Sequence, residues 1–367
     1  MENGHEEARK KLLTPGPVEL HPRVLAAMSR QVVSHRSSEF RSLFREVLEM
    51  LKNVYVSNEA RIALLAGTGT TAVDAMVFSM VEPGDRVLLL SFGEFGKRME
   101  ETLKARGCVV DVVEKALGDS VSFSDIAGML DGGRDYKALF SVYNETSTGA
   151  RLSDIVSIAR RAKERGMYVC IDAVSALAGE ALSMDEWGLD AVASCSHKCI
   201  GGPPGVSFVA LSRDATARVC STRGKPIFLD LCRYLKFEEK GETPFTPALN
   251  PLYGLHEALK LLEEEGLQER WRRIFKLSGR LYRGAEKLGF KPFPRAEVRS
   301  HTIAALVPPG GISAAEVIAR LERCGFIVAG GMGPLKGKIM RVGVMGYVGE
   351  SDIELLLNAL EDVVRGD

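Results

Sequence analysis

The sequence carries no excess of charge of either sign and no long apolar run. Lysine plus arginine and aspartate plus glutamate each number 48 among 367 residues, which gives a formal net charge of zero. Binding to nucleic acid or to an anionic membrane needs a basic surface, and crossing a bilayer needs about 20 predominantly apolar residues in a row. The sequence shows neither feature, so we expect no nucleic-acid partner and no membrane association.

The N-terminus also lacks the features of a targeting segment. Residues 1–13 read MENGHEEARKKLL and are too charged to form the apolar core of a signal peptide. The sequence therefore predicts a soluble protein of the cytoplasm.

Cysteines are few and form no recognisable framework. There are seven, an odd number, without a CxxC pair, and most of them stand inside apolar stretches. Cys195 and Cys199 are four residues apart, but no matching pair follows at the spacing of a metal site. We expect buried, reduced thiols and no metal centre.

Short apolar runs alternate with longer amphipathic stretches over the first 210 residues. The runs are RIALLA near 61, RVLLLS near 86, ALFSVY near 138, YVCIDA near 168, AVASCS near 191 and VSFVALS near 206. Continuous apolar strands separated by helices favour a mainly parallel sheet covered on both faces, which predicts an α/β domain of three layers. One helix is predicted for IVSIARRAKERG, with Asp154 as its N-cap and Gly166 at its end.

The pattern changes after about residue 250. A long amphipathic stretch from Leu252 to Leu288 leads to two shorter strand-like runs, HTIAALV and KIMRVGVMGY, with the helix AAEVIARLERCG between them. This order predicts a smaller α+β domain. With a prior of roughly 150 residues per domain, we predict an N-terminal arm over residues 1–20, a large domain over 21–250 and a small domain over 251–367.

The segment AGTGTTA, residues 66–72, follows one predicted strand and opens a helix. Glycines at such a turn free backbone N–H groups, and the positive end of the helix dipole favours a phosphate there. The letters also fit a dinucleotide fingerprint, but Ser91 and Phe92 stand where that motif needs an acidic residue. A purely structural turn is the third interpretation.

Two ionisable residues follow apolar strands. Asp172 ends the run YVCID, at the sheet edge where open α/β folds bind ligands, although it can also serve as a helix cap. Lys198, in SHK, lies between the strand AVASC and the turn GGPPG. Burial lowers the pKa of a lysine and makes its neutral amine a nucleophile, whereas most lysines are solvated surface charges.

Together the three sites fit the cofactor pyridoxal 5'-phosphate (PLP). PLP needs a cradle for its phosphate, a carboxylate on its pyridinium nitrogen and a lysine amine for its aldehyde. An aspartate at one strand end and a lysine 26 positions later place both groups around one pocket. We therefore predict an enzyme that holds PLP on Lys198, with Asp172 opposite the ring nitrogen.

The chain resembles the class V aminotransferases of PLP-dependent transferase fold type I, in particular the alanine/serine:glyoxylate (serine:pyruvate) group. The resemblance covers nearly the whole chain. The motifs that carry it are LLTPGPVELHPRVLAAMS, SHRSSEFR, AGTGTTA, FGEFGKR, YNETSTG, IDAVSALAG, SHKCIGGPPG, TPFTPALNPLYGL and MRVGVMGY. Their number and order make chance agreement improbable.

The resemblance implies a role for each matching position. Lys198 becomes the Schiff-base lysine and general base, and Asp172 becomes the partner of the ring nitrogen. The implied cofactor contacts are the phosphate turn Thr68, Gly69 and Thr70, the stacked Phe95, Val174 on the other ring face, Thr146 near the ring oxygen, His197 near the phosphate, and Thr246 from the other subunit. Arg341 and Gly16 are the implied substrate contacts, and the contact from Thr246 implies a homodimer with shared active sites.

Each of these positions also has a simpler interpretation. Phe95 fits ordinary core, Thr146 and Thr246 fit turn hydroxyls, and Arg341 fits a surface cation. The family often offers a tyrosine to the partner's phosphate where this chain has Thr243. His35 and Arg36 fit structural hydrogen bonds better than substrate contacts.

The resemblance implies an aminotransferase that moves the amino group of alanine or serine to glyoxylate or pyruvate by a ping-pong mechanism. Three alternatives are open: a cysteine desulfurase-like enzyme, a nicotinamide-linked dehydrogenase, and a folded relative used as a non-catalytic subunit. Ureidoglycine and 2-aminoethylphosphonate are further candidate donors. The residues do not separate these donors, although Arg341 favours an α-carboxylate over a phosphonate.

Overall fold

A computed structural model describes residues 10–366 of the chain. The first nine residues of the predicted N-terminal arm, and the last residue of the predicted small domain, lie outside the described residues. The strands are β1 (Lys11–Leu12), β2 (Arg61–Gly67), β3 (Arg86–Ser91), β4 (Val109–Glu114), β5 (Ala138–Val142), β6 (Asn144–Glu145), β7 (Ala150–Arg151), β8 (Tyr168–Asp172), β9 (Ala191–Cys195), β10 (Gly205–Leu211), β11 (Lys291–Pro292), β12 (Ile303–Val307), β13 (Phe326–Ile327), β14 (Ala329–Gly330) and β15 (Met340–Gly343). The α-helices are α1 (Pro22–Met28), α2 (Ser38–Tyr55), α3 (Gly69–Met80), α4 (Glu94–Ala105), α5 (Phe123–Asp131), α6 (Ile155–Glu164), α7 (Met184–Trp187), α8 (Arg213–Ser221), α9 (Leu231–Glu238), α10 (Leu249–Glu265), α11 (Leu267–Lys287), α12 (Ala314–Arg323) and α13 (Glu350–Arg365).

Seven strands form the central sheet in the order β2-β10-β9-β8-β5-β3-β4. Strand β10 runs antiparallel to both of its neighbours, and the other strands are parallel to one another. All six apolar runs of the sequence form strands of this sheet. The seventh, β4, lies at an edge and is only partly buried, which is why its sequence lacks a continuous apolar run. The α/β prediction with a mainly parallel sheet is confirmed.

The two faces of the sheet bury two separate cores. Along β2, Ile62 and Leu64 face one core, and Ala63 and Leu65 face the other, as the alternation of side chains along a strand requires. Helices α2, α6 and α10 cover the first face, and α3, α4, α8 and α9 cover the second. This arrangement gives three layers.

The chain after α10 builds a second structural unit. Strands β11, β12, β15 and β14 form a four-stranded antiparallel sheet, which packs on α11, α12 and α13. The long amphipathic stretch of the sequence is two helices, α10 and α11, separated at Gly266, whose φ is +86°. Strand β1 of the arm pairs with β13 of this unit, and α1 packs on α10. The domain boundaries at residues 20 and 250 stay predictions.

The prediction that Asp154 is the N-cap residue of α6 is confirmed in position, but its carboxylate makes no bond to the first turn of α6 and instead accepts a hydrogen bond from the Phe123 N–H of α5 at 2.9 Å. The prediction of reduced thiols is wrong for two of the cysteines. Cys220 and Cys232 form a disulfide between α8 and α9, although the sequence predicted reduced thiols. Twelve positions separate these two cysteines, and only the fold brings their Cα atoms to 4.8 Å.

The disulfide generates a prediction about stability. Replacing both Cys220 and Cys232 by alanine is expected to lower the free energy of unfolding by about 3 kcal/mol, because the unfolded chain gains the entropy of an open loop. Urea denaturation with and without reductant measures the effect. The exposed Cys324 is the control, because its replacement by alanine leaves the reductant sensitivity intact. Wild-type protein that is insensitive to reductant contradicts the disulfide.

Candidate active site

One cavity opens at the edge of the central sheet where the parallel strands end. The residues that line it are Thr68, Gly69, Thr70, Val73, Asp74, Phe95, Arg98, Met99, Asp172, Val174, His197 and Lys198. The phosphate turn follows β2, Phe95 follows β3, Asp172 ends β8, and Lys198 follows β9. These four strands are parallel, so their carboxyl ends meet at one edge and bring together residues that are far apart in sequence. Eight of the twelve lining residues are predicted cofactor contacts.

The start of α3 forms an anion cradle at one end of the cavity. Thr68 is the N-cap residue of this helix, and its backbone N–H donates to the Thr71 hydroxyl at 3.2 Å. The N–H groups of the first turn have no carbonyl partner within a helix, and the helix dipole adds positive charge. A Cβ at Gly69 would stand 2.7 Å from Val174 Cγ2, so only glycine lets the helix start approach that loop. This end of the cavity suits a phosphate.

Asp172 is a buried carboxylate at the centre of the site. Its Oδ1 accepts a hydrogen bond from the Val174 N–H at 2.8 Å. Burial raises the pKa of Asp172 to about 7, and the charge of Glu145 adds to the rise, whereas the Val174 N–H and Lys198 oppose it. A cationic ring nitrogen placed here would restore the charged carboxylate, since an opposite charge favours ionisation.

Lys198 lies beneath the turn of the arm at residues 14–17. The residue is only 9% exposed, and its Nζ donates a hydrogen bond to the Pro15 carbonyl. A Cβ at Gly16 would lie 2.6 Å from Lys198 Nζ and 2.7 Å from Lys198 Cε, so the glycine permits this contact. Burial lowers the pKa of Lys198, and the nearby Arg341 acts in the same direction. A larger share of neutral amine makes the lysine a better nucleophile.

His197 presents an unsatisfied ring nitrogen beside the lysine. Its Nδ1 is buried without a hydrogen-bond partner among residues 10–366, and its Nε2 lies 3.7 Å from Cys195 Sγ. Burial, together with the charge of Lys198, lowers the pKa of His197 to about 4. The ring is therefore neutral at pH 7, and its orphaned nitrogen fits a ligand that supplies the missing partner.

Thr146 and Arg341 do not line the cavity, but they are joined to each other. The Thr146 hydroxyl lies 2.5 Å from the Ser175 hydroxyl, and the Thr146 carbonyl accepts a hydrogen bond from Arg341 Nη1 at 2.8 Å. Arg341 Nε donates to the Gly330 carbonyl, also at 2.8 Å. Burial lowers the pKa of Arg341. Arg341 is 7% exposed and lies on β15 of the second unit, so it is not the surface cation of the simpler interpretation.

The structure does not bring Thr246 to this cavity. Thr246 is exposed in the segment before α10, and it does not line the cavity of its own chain. The Thr243 hydroxyl donates to the Phe245 carbonyl at 2.7 Å. Arg36 donates to Glu242 Oε2 at 2.8 Å and to the Thr243 carbonyl at 2.7 Å, which is the structural role expected for it.

Sequence reasoning missed Glu145. This acid in the motif YNETSTG is fully buried on β6 and accepts hydrogen bonds from the start of α4. A carboxylate three residues after the apolar strand β5 was a signal that its partners had to be inside the protein. The contact of the Pro15 carbonyl with Lys198 was also missed, because a backbone group leaves no signature in a sequence.

The comparisons with known proteins identify the family. The model of the aminotransferase class V family matches residues 18–356, so the chain belongs to that family. An uncharacterised aminotransferase of Methanocaldococcus jannaschii is 34% identical over 97% of this chain and 93% of its own length. The serine–glyoxylate aminotransferase of Arabidopsis thaliana is 30% identical over 97% of this chain and 90% of its own length.

Solved structures agree with this assignment. The alanine–glyoxylate aminotransferase of Nostoc sp. is 32% identical with a TM-score of 0.92, over 100% of this chain and 98% of that one. An aspartate aminotransferase of subgroup IV from Thermus thermophilus is also 32% identical, with a TM-score of 0.90 over 97% and 99% of the two chains. The fold is PLP-dependent transferase fold type I, and the chain is a PLP-dependent aminotransferase. The two alternatives of a nicotinamide-linked dehydrogenase and of a non-catalytic subunit are therefore wrong.

The buried Asp172 generates a prediction about pH. A carboxyl whose pKa is raised by folding stabilises the protein below its unfolded pKa, and this stabilisation is lost as the pH rises through the folded value. The cofactor-free wild type is therefore expected to lose stability relative to Asp172→Asn as the pH rises from about 4 to about 7, by about 1.4 kcal/mol for each step of one in pH. Urea denaturation of both proteins at several pH values measures it. Parallel pH profiles contradict the raised pKa.

Proposed function

We propose that this aminotransferase binds PLP on Lys198 and transfers an amino group from alanine or serine to glyoxylate or pyruvate in two half-reactions. The observation that carries the proposal is one cavity lined by the buried Lys198 amine, the buried Asp172 carboxylate and the N-terminus of α3. These three groups match the amine, the carboxylate and the phosphate cradle that PLP requires. No group of three or more metal-ligating side chains occurs in the part of the chain that the structure describes.

Each group has a role that its surroundings support. When bound, PLP serves as the electron sink that makes the donor's Cα–H bond acidic. The Lys198 amine, with its lowered pKa, takes the proton from that Cα and then donates it at the C4' atom of the cofactor. Asp172 provides the negative charge that keeps a ring nitrogen protonated. The start of α3 and His197 are the proposed phosphate contacts, with Phe95 and Val174 on the two ring faces.

The recognition of the substrate rests on Arg341 and Gly16. Arg341 uses Nε and one N–H of Nη1 for backbone carbonyls, so Nη2 and the second N–H of Nη1 are left for an α-carboxylate. The backbone of Gly16 covers Lys198 closely, which favours donors with short side chains. Relatives named for alanine–glyoxylate and serine–glyoxylate transfer support these substrates, whereas a bacterial relative named for ureidoglycine–glyoxylate and the Thermus structure named for aspartate supply the competing donors.

We also propose a homodimer with shared sites in the cytoplasm. Thr246 is exposed and does not line its own cavity, which suits a contact with the partner's phosphate. Within residues 10–366, no helix has the length and apolar character that a membrane crossing requires. The Cys220–Cys232 disulfide is the observation that opposes a cytoplasmic location, because such bonds are rare in the cytosol except in intracellular proteins of hyperthermophiles.

Replacing Lys198 by alanine tests the central assignment. The variant is expected to lose turnover by at least about a thousandfold, since the amine is both the anchor and the base. It is also expected to lose the visible absorption of lysine-bound cofactor, and borohydride is expected to fix no PLP on the peptide that contains residue 198. Lys137→Ala is the control, because this lysine lies over the Tyr168 ring outside the cavity. Normal activity of Lys198→Ala refutes the assignment.

Replacing Arg341 by lysine tests the carboxylate contact. The variant is expected to raise KM for both the amino acid and the 2-oxo acid by about tenfold or more, because an ammonium cannot reproduce the planar guanidinium. Steady-state kinetics at fixed PLP saturation measures the change. An unchanged KM for both substrates excludes Arg341 from this role. The affinity of the variant for PLP is expected to stay within about twofold of the wild type, because Arg341 is proposed to contact the substrate and not the cofactor.

A panel of donors and acceptors decides the substrate pair. Alanine, serine, aspartate, ureidoglycine and 2-aminoethylphosphonate are assayed against glyoxylate and pyruvate, and values of kcat/KM are compared. Parallel lines in double-reciprocal plots are expected for two half-reactions. A preference for aspartate or ureidoglycine by tenfold or more would replace the proposed donor.

A further inference from the structure

A buried acid without a role in the proposed chemistry stands beside the cavity. Glu145 lies on the two-residue strand β6 and is fully buried. A carboxylate in such a place is costly unless donors surround it. Its position is adjacent in sequence to Thr146, whose carbonyl accepts a hydrogen bond from Arg341.

Glu145 accepts four hydrogen bonds. Its Oε2 accepts from the N–H groups of Phe95 and Gly96, both at 3.1 Å, and its Oε1 accepts from the Ser147 N–H at 3.0 Å and the Ser147 hydroxyl at 2.6 Å. Burial raises the pKa of Glu145, and these four donors oppose that rise. Because all four partners donate, only the ionised carboxylate satisfies the whole set.

These bonds make Glu145 the cap of a helix that is distant in sequence. The N-cap residue of α4 is Gly93, which has no side chain to accept from the first turn. A carboxylate at this end also interacts favourably with the helix dipole. The Ser147 hydroxyl completes the cap by accepting from the Glu94 N–H at 3.1 Å. The start of α4 is thus held by the segment that follows β5.

The capped turn is the one that carries Phe95 into the cavity. The same segment holds Arg341 through the Thr146 carbonyl, and the charge of Glu145 acts on Arg341 by raising its pKa against the effect of burial. Glu145 therefore ties the proposed stacking residue to the proposed carboxylate contact. A change in its hydrogen bonds would shift the backbone under both side chains.

We propose that Glu145 is a positioning residue that sets the Phe95 ring at the stacking distance of the cofactor and keeps the Arg341 guanidinium aligned with the substrate. This inference rests on the proposed function. It assigns to Glu145 an effect on cofactor affinity and geometry beyond the stability that any helix cap contributes.

Glu145→Gln tests the inference, because glutamine keeps the shape but replaces one acceptor oxygen by a donor, which faces at least one N–H group in either orientation of the amide. Purified apoprotein is titrated with PLP, and the quenching of tryptophan fluorescence gives the dissociation constant. We expect an increase of about tenfold, which corresponds to the loss of a good helix cap. We also expect weaker circular dichroism in the visible band of bound PLP and a higher KM for both substrates.

Asp154→Asn is the matched control. Asp154 is also a carboxylate from a distant segment that caps a helix, since it accepts from the Phe123 N–H of α5 at 2.9 Å. Helix α5 does not line the cavity. Both variants are expected to lower Tm, but Asp154→Asn is expected to bind PLP like the wild type.

PLP binding by the wild type tests the proposed function, and PLP binding by the variants tests the role of Glu145. Failure of the wild type to bind PLP refutes the proposed function, whatever the variants do. Wild-type affinity in Glu145→Gln, or an equal loss of affinity in Asp154→Asn, overturns the positioning role. If Glu145→Gln does not fold, Ser147→Ala replaces it, because it removes one donor hydroxyl and is expected to weaken PLP binding about threefold. Unchanged affinity in Ser147→Ala would then overturn the inference.

Discussion

The structure depends on how a charged amine and a carboxylate are kept inside the protein at the end of a parallel sheet. Lys198 and Asp172 are both buried, and burial moves their pKa values towards each other, downwards for the amine and upwards for the acid. Desolvation disfavours both charged forms, so the cofactor-free site stores an unfavourable arrangement of polar groups. A ligand that offers an aldehyde to the amine and a basic ring nitrogen to the carboxylate would relieve both of these costs. These groups would suit PLP, the cofactor of the family to which the chain belongs.

The fold supplies this site from separate parts of the chain. The parallel strands bring the phosphate turn, Phe95, Asp172 and Lys198 to one edge, because their carboxyl ends point the same way. The second unit carries Arg341, the proposed substrate contact, and the N-terminal arm adds the turn that covers Lys198. The arm itself pairs with β13, so the cover over the lysine is anchored to the unit that carries the arginine.

Much of the site could be predicted from local sequence. AGTGTTA follows an apolar strand and begins a helix, Asp172 ends a strand, and Lys198 lies between two segments that had to be buried. These patterns reflect short-range physics, namely the exposure of N–H groups at a helix start and the cost of burying a charge. Family resemblance then added Arg341, which lies buried beside Thr146. The strand β4 was missed because an edge strand does not need a continuous apolar run.

The sequence by itself determined the class of fold, the three-layer order of the large sheet and the placement of Lys198 and Asp172 at one edge of the sheet, because these follow from periodicity and from residues next to strand ends. Only the tertiary structure decided which distant groups meet. It paired Cys220 with Cys232, turned the Asp154 carboxylate to α5, placed Glu145 on the start of α4 and put the Pro15 carbonyl on the lysine. Such contacts join positions that are many residues apart, and their partners are often backbone groups that every residue possesses. No local pattern can encode which of those groups will be near.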